Sequence, residues 1–332
     1  MKNIIYTLTV IWAITACEDP FFEDDPTNDP VTNFDIMWST MNDKYVYFDY
    51  KRIDWDSIRN VYRPQVRAGM SDQALFQLME TALNTLRDGH VNLRSEFDIS
   101  FYDGFYKNYP ENFNFQLLEK HYLGDYKITG SLVNTIIDSI GYIRYGSFVN
   151  PIRNEDLDFI IQRFKGLKGI IIDIRNNEGG DPANGFRFAK RIADKKRHIY
   201  TTKYKSGPGK NDFTEADEAF IGPTSEYPRF HQPVVLLTNR KTYSAANFFT
   251  ATLKAFPHVT VMGDQTGGGG GAPVGWELPN GWFFNFSTSI SYLPDGFFIE
   301  DGIPPDIRVE ITENDLLTGK DTILESALSS FR

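Results

Sequence analysis

PVVLLTNRKTYSAANFFTATLKAF, residues 233–256, is the stretch on which the reading of this chain turns. Val234-Val235-Leu236-Leu237 is a continuous apolar run, the pattern of a strand buried on both faces. A polar turn, Thr238-Asn239-Arg240-Lys241-Thr242, follows it. Beyond Ser244 the pattern becomes helical, with Phe248, Leu253 and Phe256 as the main apolar residues. Ser244 thus falls where a strand hands over to a helix. That junction exposes a side chain at a sheet edge and aims free backbone N–H groups at whatever binds there. Two roles are open to Ser244 at this point: the N-cap of the helix, which serine fills well, or a nucleophile on a strand-to-helix turn.

The same rhythm extends on both sides. The pattern predicts helices over 154–164 and 181–194 and buried strands over 169–174, 233–237 and 259–262, an α/β core with a largely parallel sheet. Upstream, Phe34, Met37, Trp38 and Met41 recur at helical spacing. Ser71 is a natural N-cap for a second helix through Leu75, Leu78, Met79 and Ala82 to Leu86, so 34–95 reads as a small helical subdomain. Residues 97–145 alternate aromatic runs with Gly, Asn and Asp and read as β-structure, Phe113-Asn114-Phe115-Gln116-Leu117 and Gly141-Tyr142-Ile143-Arg144-Tyr145 among them. Residues 203–232 lack a period and read as a mobile loop near the site. A core unit over 96–312 and a C-terminal helix over 313–332 complete the division.

The 332 residues suffice for a sizeable core. A net charge of −10 argues against a nucleic-acid partner. The five histidines are scattered and the single cysteine has no Cys/His cluster around it, so no metal or other cofactor is expected. That cysteine, Cys17, also excludes an intramolecular disulfide. It closes a segment, residues 1–17, with Lys2 near its start and an apolar run too short to span a bilayer, which reads as a signal peptide. Ile14-Thr15-Ala16-Cys17 resembles the lipobox of bacterial lipoproteins, which implies an acylated Cys17 and membrane anchoring in the cell envelope, with the outer membrane as the expected site. Residues 18–33 open on EDPFFEDDPTNDP and read as an acidic flexible tether.

Four stretches carry candidate chemistry. Ser244 is the first. Asp173-Ile174-Arg175-Asn176-Asn177-Glu178-Gly179-Gly180 ends a strand in a Gly-Gly turn that frees N–H groups, and with the N–H of Ala245 these suit an oxyanion hole. His90 sits in a Gly-flanked turn. Glu300, in Glu300-Asp301-Gly302-Ile303-Pro304-Pro305-Asp306, puts a carboxylate before a rigid turn. A serine hydroxyl needs a base, and the base a third group, so Ser244, His90 and Glu300 have the right chemical types.

Asp173 to Gly180, Thr238 to Asn247, Val261-Met262-Gly263-Asp264-Gln265-Thr266-Gly267-Gly268 and Asp301 to Asp306, in that order, resemble the catalytic domain of the C-terminal processing (tail-specific) peptidases over roughly 86–310. Leu86-Arg87-Asp88-Gly89-His90 is similar to the histidine motif of the branch containing the tricorn core protease and interphotoreceptor retinoid-binding protein. The resemblance implies a crotonase/ClpP-like β-α spiral and serine peptidase chemistry on peptides or unfolded segments. It also implies Ser244 as nucleophile, His90 as base, Glu300 as the acid, and Gly179 or Gly180 with Ala245 as oxyanion donors. A non-catalytic apolar-ligand or peptide-binding module on the same fold is the alternative. Two positions depart from the pattern. Residues 266–270 lack the lysine of the Ser–Lys branch, with Lys254 read as a surface residue, and Gly89 stands where the tricorn-like branch has serine. Residues 267–271 read as a flexible groove wall, and the span from His90 to Gly141 leaves no room for an evident PDZ domain.

Overall fold

The computed structural model describes residues 25–332. Cys17, the signal-like segment and the first part of the tether lie outside the described residues. The first helix, Pro30–Lys44, begins inside the segment read as tether: Asp29 accepts from the amides of Val31 and Thr32 and Pro30 opens the first turn, a strong start signal that acidic composition had masked. Helices Phe48–Lys51, Trp55–Tyr62 and Asp72–Asn84 follow, the last capped by Ser71 on the amide of Ala74. Among the described residues no helix is long and apolar enough to cross a membrane.

The core is a seven-stranded sheet in the order Ile307–Arg308, Val259–Gly263, Val234–Thr238, Gly169–Asp173, Ile140–Arg144, Leu132–Ile137, Lys127–Thr129. The first five run parallel, Leu132–Ile137 runs against them, and Lys127–Thr129 pairs antiparallel with it. Helices Asn154–Arg163, Pro182–Ala189 and Ala245–Lys254 are its crossovers. Val234–Thr238 and Gly169–Asp173 are buried at every residue, which their uninterrupted apolar patterns require of central parallel strands. One apolar cluster, with Ile170, Ile172, Leu236 and Phe249, packs the crossovers on one face. A second, with Ile171, Val235, Leu237 and Leu324, packs the C-terminal helix on the other.

Four expectations are corrected. Residues 113–117 are not a strand: Asn114 caps a helical turn, Phe115–Leu118, that runs into a π-helical turn, Glu119–Leu123, and the Asn cap overrides the aromatic alternation. Residues 203–232 are not a single loop, because Asp217–Ile221 pairs with Arg197–Tyr204, which in turn pairs with Ser289–Tyr292. The helix expected to reach residue 194 ends at Ala189. The C-terminal segment is two helices, Glu313–Leu317 and Thr322–Ser329, separated at Gly319 and restarted by Asp321, which accepts from the amide of Leu324.

The helical unit does not close its own core. Phe34, Met37, Phe76, Met79 and Leu83 pack against Leu278, Trp282, Phe284 and Phe286. Those residues belong to or flank Phe283–Ser287, a strand of a second, antiparallel sheet that also holds Asn92–Arg94. The strand just after His90 is therefore stitched to the far end of the chain.

Candidate active site

Strand Val234–Thr238 ends in a turn bolted to the neighbouring strand's loop. Thr242 donates its hydroxyl to the carbonyl of Ile174, Tyr243 N–H donates to the carbonyl of Asn177, and Asn239 Oδ1 accepts from the amide of Asn176. These bonds force the next residue round sharply: Ser244 takes φ 53° and ψ −122°. Its own N–H donates to the carbonyl of Gly268. Although Ser244 sits at the N-cap position of helix Ala245–Lys254, its side chain caps nothing. Its Oγ instead lies 2.9 Å from His90 Nε2.

His90 comes from a turn before strand Asn92–Arg94, and Asp88 Oδ1 takes its backbone N–H at 2.8 Å. Asp88 Oδ2 accepts from the hydroxyl of Tyr45. Burial holds the imidazolium below the ordinary histidine range, with Asp88 opposing that shift and Lys51 adding to it. His90 Nδ1 is buried without a hydrogen-bond partner among the described residues. Position 89 has no room for the serine of the tricorn-like pattern: a Cβ on Gly89 would stand 2.7 Å from the ring of Phe105 and 2.9 Å from the hydroxyl of Tyr243. Those two rings are stacked 4.3 Å apart.

Glu300 is buried, and its carboxylate does not bond His90. Oε1 pairs with Lys51 Nζ at 2.9 Å, and Oε2 accepts from the amide of Gly270 at 2.9 Å. Burial, reinforced by the charge of Asp88, raises its carboxyl to about 7 against the pull of Lys51. The turn carrying it is held to the helix of Ser244: Asn247 donates to the carbonyl of Ile299, and Thr266, which donates to Asn247, accepts from the amide of Ile303.

The Gly-Gly turn discriminates between its two amides. Gly179 N–H donates to Asn177 Oδ1. The amides of Gly180 and of Ala245 have no acceptor among the described residues. Gly179 also lies against the turn that carries Ser244, a Cβ there standing 3.0 Å from Ser244 Cβ.

Residues 267–271 form a wall, but not a flexible one. All five are buried, Gly267 N–H donates to the carbonyl of Thr242, and Gly269 N–H to that of Glu300. A Cβ at Gly268 would come within 1.8 Å of the Glu300 carbonyl, and its φ of 94° is one that glycine adopts freely. Close backbone approach, not looseness, accounts for the glycines. Lys254 pairs with Asp306 at the far end of the helix from Ser244. Sequence reasoning missed Lys51 and the bonding of Asp88. Lys51 lies in an aromatic stretch without a motif, whereas Asp88, two residues before His90, had a signal in its position.

The match to known proteins falls on these same segments. Residues 139–309, just over half of the chain, match the model of peptidase family S41. The chain belongs to peptidase family S41. Residues 26–84, the helical unit, match the tricorn protease C1 domain. Among solved S41-like structures, a peptidase candidate from Parabacteroides merdae superimposes with a TM-score of 0.88 at 39% identity, covering 92% of this chain and 97% of that one. Mature CPAF complexed with lactacystin superimposes with a TM-score of 0.69 at 13% identity over 90% of this chain and 97% of that one, a likeness of fold. The carboxy-terminal processing protease CtpA of Bacillus subtilis is 28% identical over 178 residues, 53% of this chain and 36% of that protein. The chain thus spans about a third of the length of the curated relatives it matches.

Proposed function

We propose that this S41 member is a serine endopeptidase acting on peptides or unfolded protein segments through an acyl-enzyme on Ser244. The observation that carries the reading is the 2.9 Å approach of Ser244 Oγ to His90 Nε2 from a backbone conformation that withholds the hydroxyl from capping its own helix. In the first step Ser244 Oγ bonds the scissile carbonyl carbon as its proton passes to His90 Nε2. The carbonyl oxygen takes up the negative charge and is met by the amides of Gly180 and Ala245; Gly180 is chosen over Gly179 because the latter's N–H is already committed. Collapse breaks the C–N bond, and the amine leaves with the proton from His90. A water then repeats the sequence on the ester and releases Ser244. Glu300 supplies the acid of the constellation through the loop it grips rather than by a bond to His90.

The apolar-ligand alternative draws no support from the site: the adjoining cavity of about 360 Å³ is polar, with Lys51, Asp88, Arg240 and Glu300 in its lining. The test is fluorophosphonate labelling of the full-length chain with the adduct mapped by mass spectrometry. The expected adduct is on Ser244, lost in Ser244→Ala and strongly reduced in His90→Ala. Folded wild-type protein that takes no label overturns the reading.

The location is proposed separately, as a lipid-anchored envelope protein facing away from the cytoplasm, supported by the lipobox-like run ending at Cys17. Cys17→Ser is expected to move the protein from the membrane to the soluble fraction, and retention in the membrane fraction would count against the anchor.

A further inference from the structure

The two loops that meet at Ser244 and His90 are joined by one side chain from outside both. Lys51 ends helix Phe48–Lys51 of the helical unit, and its side chain is 10% exposed. Its Nζ reaches Glu300 Oε1 at 2.9 Å and the carbonyl of Arg87 at 3.3 Å. The Lys51 carbonyl in turn accepts from the Arg87 guanidinium. Arg87 opens the loop that carries Asp88 and His90. Glu300 grips residues 268–270 twice, through Gly269 N–H to its carbonyl and Gly270 N–H to its Oε2. Gly268 in turn holds the N–H of Ser244. A continuous chain of bonds therefore runs from the histidine loop through Lys51 and Glu300 to the nucleophile's own backbone.

We propose that Lys51 is a positioning residue: supplied by the helical unit, it clamps the His90 loop to the Ser244 loop and provides the positive charge paired with the buried Glu300 carboxylate. This rests on the peptidase reading above. The charge argument follows from what faces Glu300. Tyr45, Tyr47, Tyr50 and Tyr243 lie near it, and burial raises each phenol, so all stay neutral through the working range. The charged neighbours are Asp88, Asp301 and Lys51. Arg87 and Arg240 also line the adjoining cavity but neither bonds Glu300, so removing Lys51 takes away the one cation in contact with this buried carboxyl among the described residues, and Glu300 takes up a proton at higher pH. Its grip on Gly270 then weakens, because a neutral acceptor makes the poorer bond.

The experiment is the rate of fluorophosphonate labelling of Ser244 in the full-length chain, purified in mild detergent, followed from pH 5 to 9. In Lys51→Met the acid limb is expected to move up by about one pH unit, with the rate at pH 7 falling roughly fivefold and recovering toward alkaline pH. Lys51→Arg, which keeps the charge, should restore the wild-type limb. Glu300→Gln, which cannot ionise, should move the limb the other way, to the depressed value of His90 below 6.5, and Lys51→Met added to it should raise that limb only slightly, by the lysine's small direct effect on His90, rather than by the full unit. A Lys51→Met limb that coincides with the wild-type limb, whatever its amplitude, overturns the proposal. Lys51→Gln repeats the test should the methionine variant not fold. Wild-type protein that takes no label at any pH overturns the peptidase reading and the role of Lys51 with it, a result distinct from labelling that is present but indifferent to Lys51.

Discussion

At Ser244 the backbone holds φ 53° with ψ −122°, a region that costs a side-chain-bearing residue on the order of 1–3 kcal/mol. The turn bonds of Thr242 and Tyr243 over-determine it, so the strain persists in the folded state. Ser244→Ala and Ser244→Gly should both lose peptidase activity, by at least about a thousandfold. They should differ in stability: alanine keeps the strain and glycine relieves it, so Ser244→Gly is expected to be the more stable by about 1 kcal/mol in urea unfolding. Equal midpoints for the two would show that the conformation is not strained. The residue types of the site could be read from the sequence, because a strand-to-helix turn and a Gly-Gly turn are local patterns. The partner of each residue could not. Glu300 has the chemical type expected of an acid, yet its oxygens go to Lys51 and Gly270.

At the scale of elements, the Gly-Gly turn is held by backbone proximity on one side and by a buried ion cluster on the other. Gly180 has φ 129°, and a Cβ there would stand 2.2 Å from the amide nitrogen of Val149, a backbone atom that no rotamer change can move aside. Gly180→Ala should therefore cost more than about 2 kcal/mol and reduce labelling of Ser244 even at temperatures where the variant is folded; wild-type labelling in that variant would remove Gly180 from the oxyanion role. Behind the turn, the fully buried Arg175 pairs with Asp173 at the end of its strand and with Asp321 at the start of the last helix. Asp321→Asn removes one of the two carboxylates on Arg175 while Asp173 stays in place, and it should cost about 2 kcal/mol, the scale of a lost charge-assisted hydrogen bond. Asparagine still caps the helix, so Asp321→Ala should cost about 1 kcal/mol more. Thermal unfolding of the two variants measures both differences. The helix and strand periods of the core were legible, but the Asn114 cap and the 313–332 break were not: each depends on one side chain satisfying local amides, which outweighs a weak periodic signal.

For the molecule as a whole, the helical unit and the S41 core are one cooperative structure. Trp282, Phe284 and Phe286, far along the chain, are covered by Phe34, Phe76 and Met79. A chain begun at residue 96 should expose that surface, bind a hydrophobic dye, and lose its near-ultraviolet circular dichroism; a native-like spectrum from such a chain would contradict the shared core. By itself the sequence determined what is local: the order of strands and helices in the core, the turn that presents Ser244, the glycines that free the amides, and the family likeness these carry in order. Local patterns are set by hydrophobic period and by backbone freedom, both written in consecutive residues. Only the tertiary structure decided that Lys51 from a helix of the N-terminal unit pairs with Glu300, that Asp321 closes on Arg175, and that the N–H of Gly179 rather than that of Gly180 is taken up by Asn177. Those outcomes depend on which polar groups compete for the same partner once burial has removed water, and that competition exists only in the folded chain.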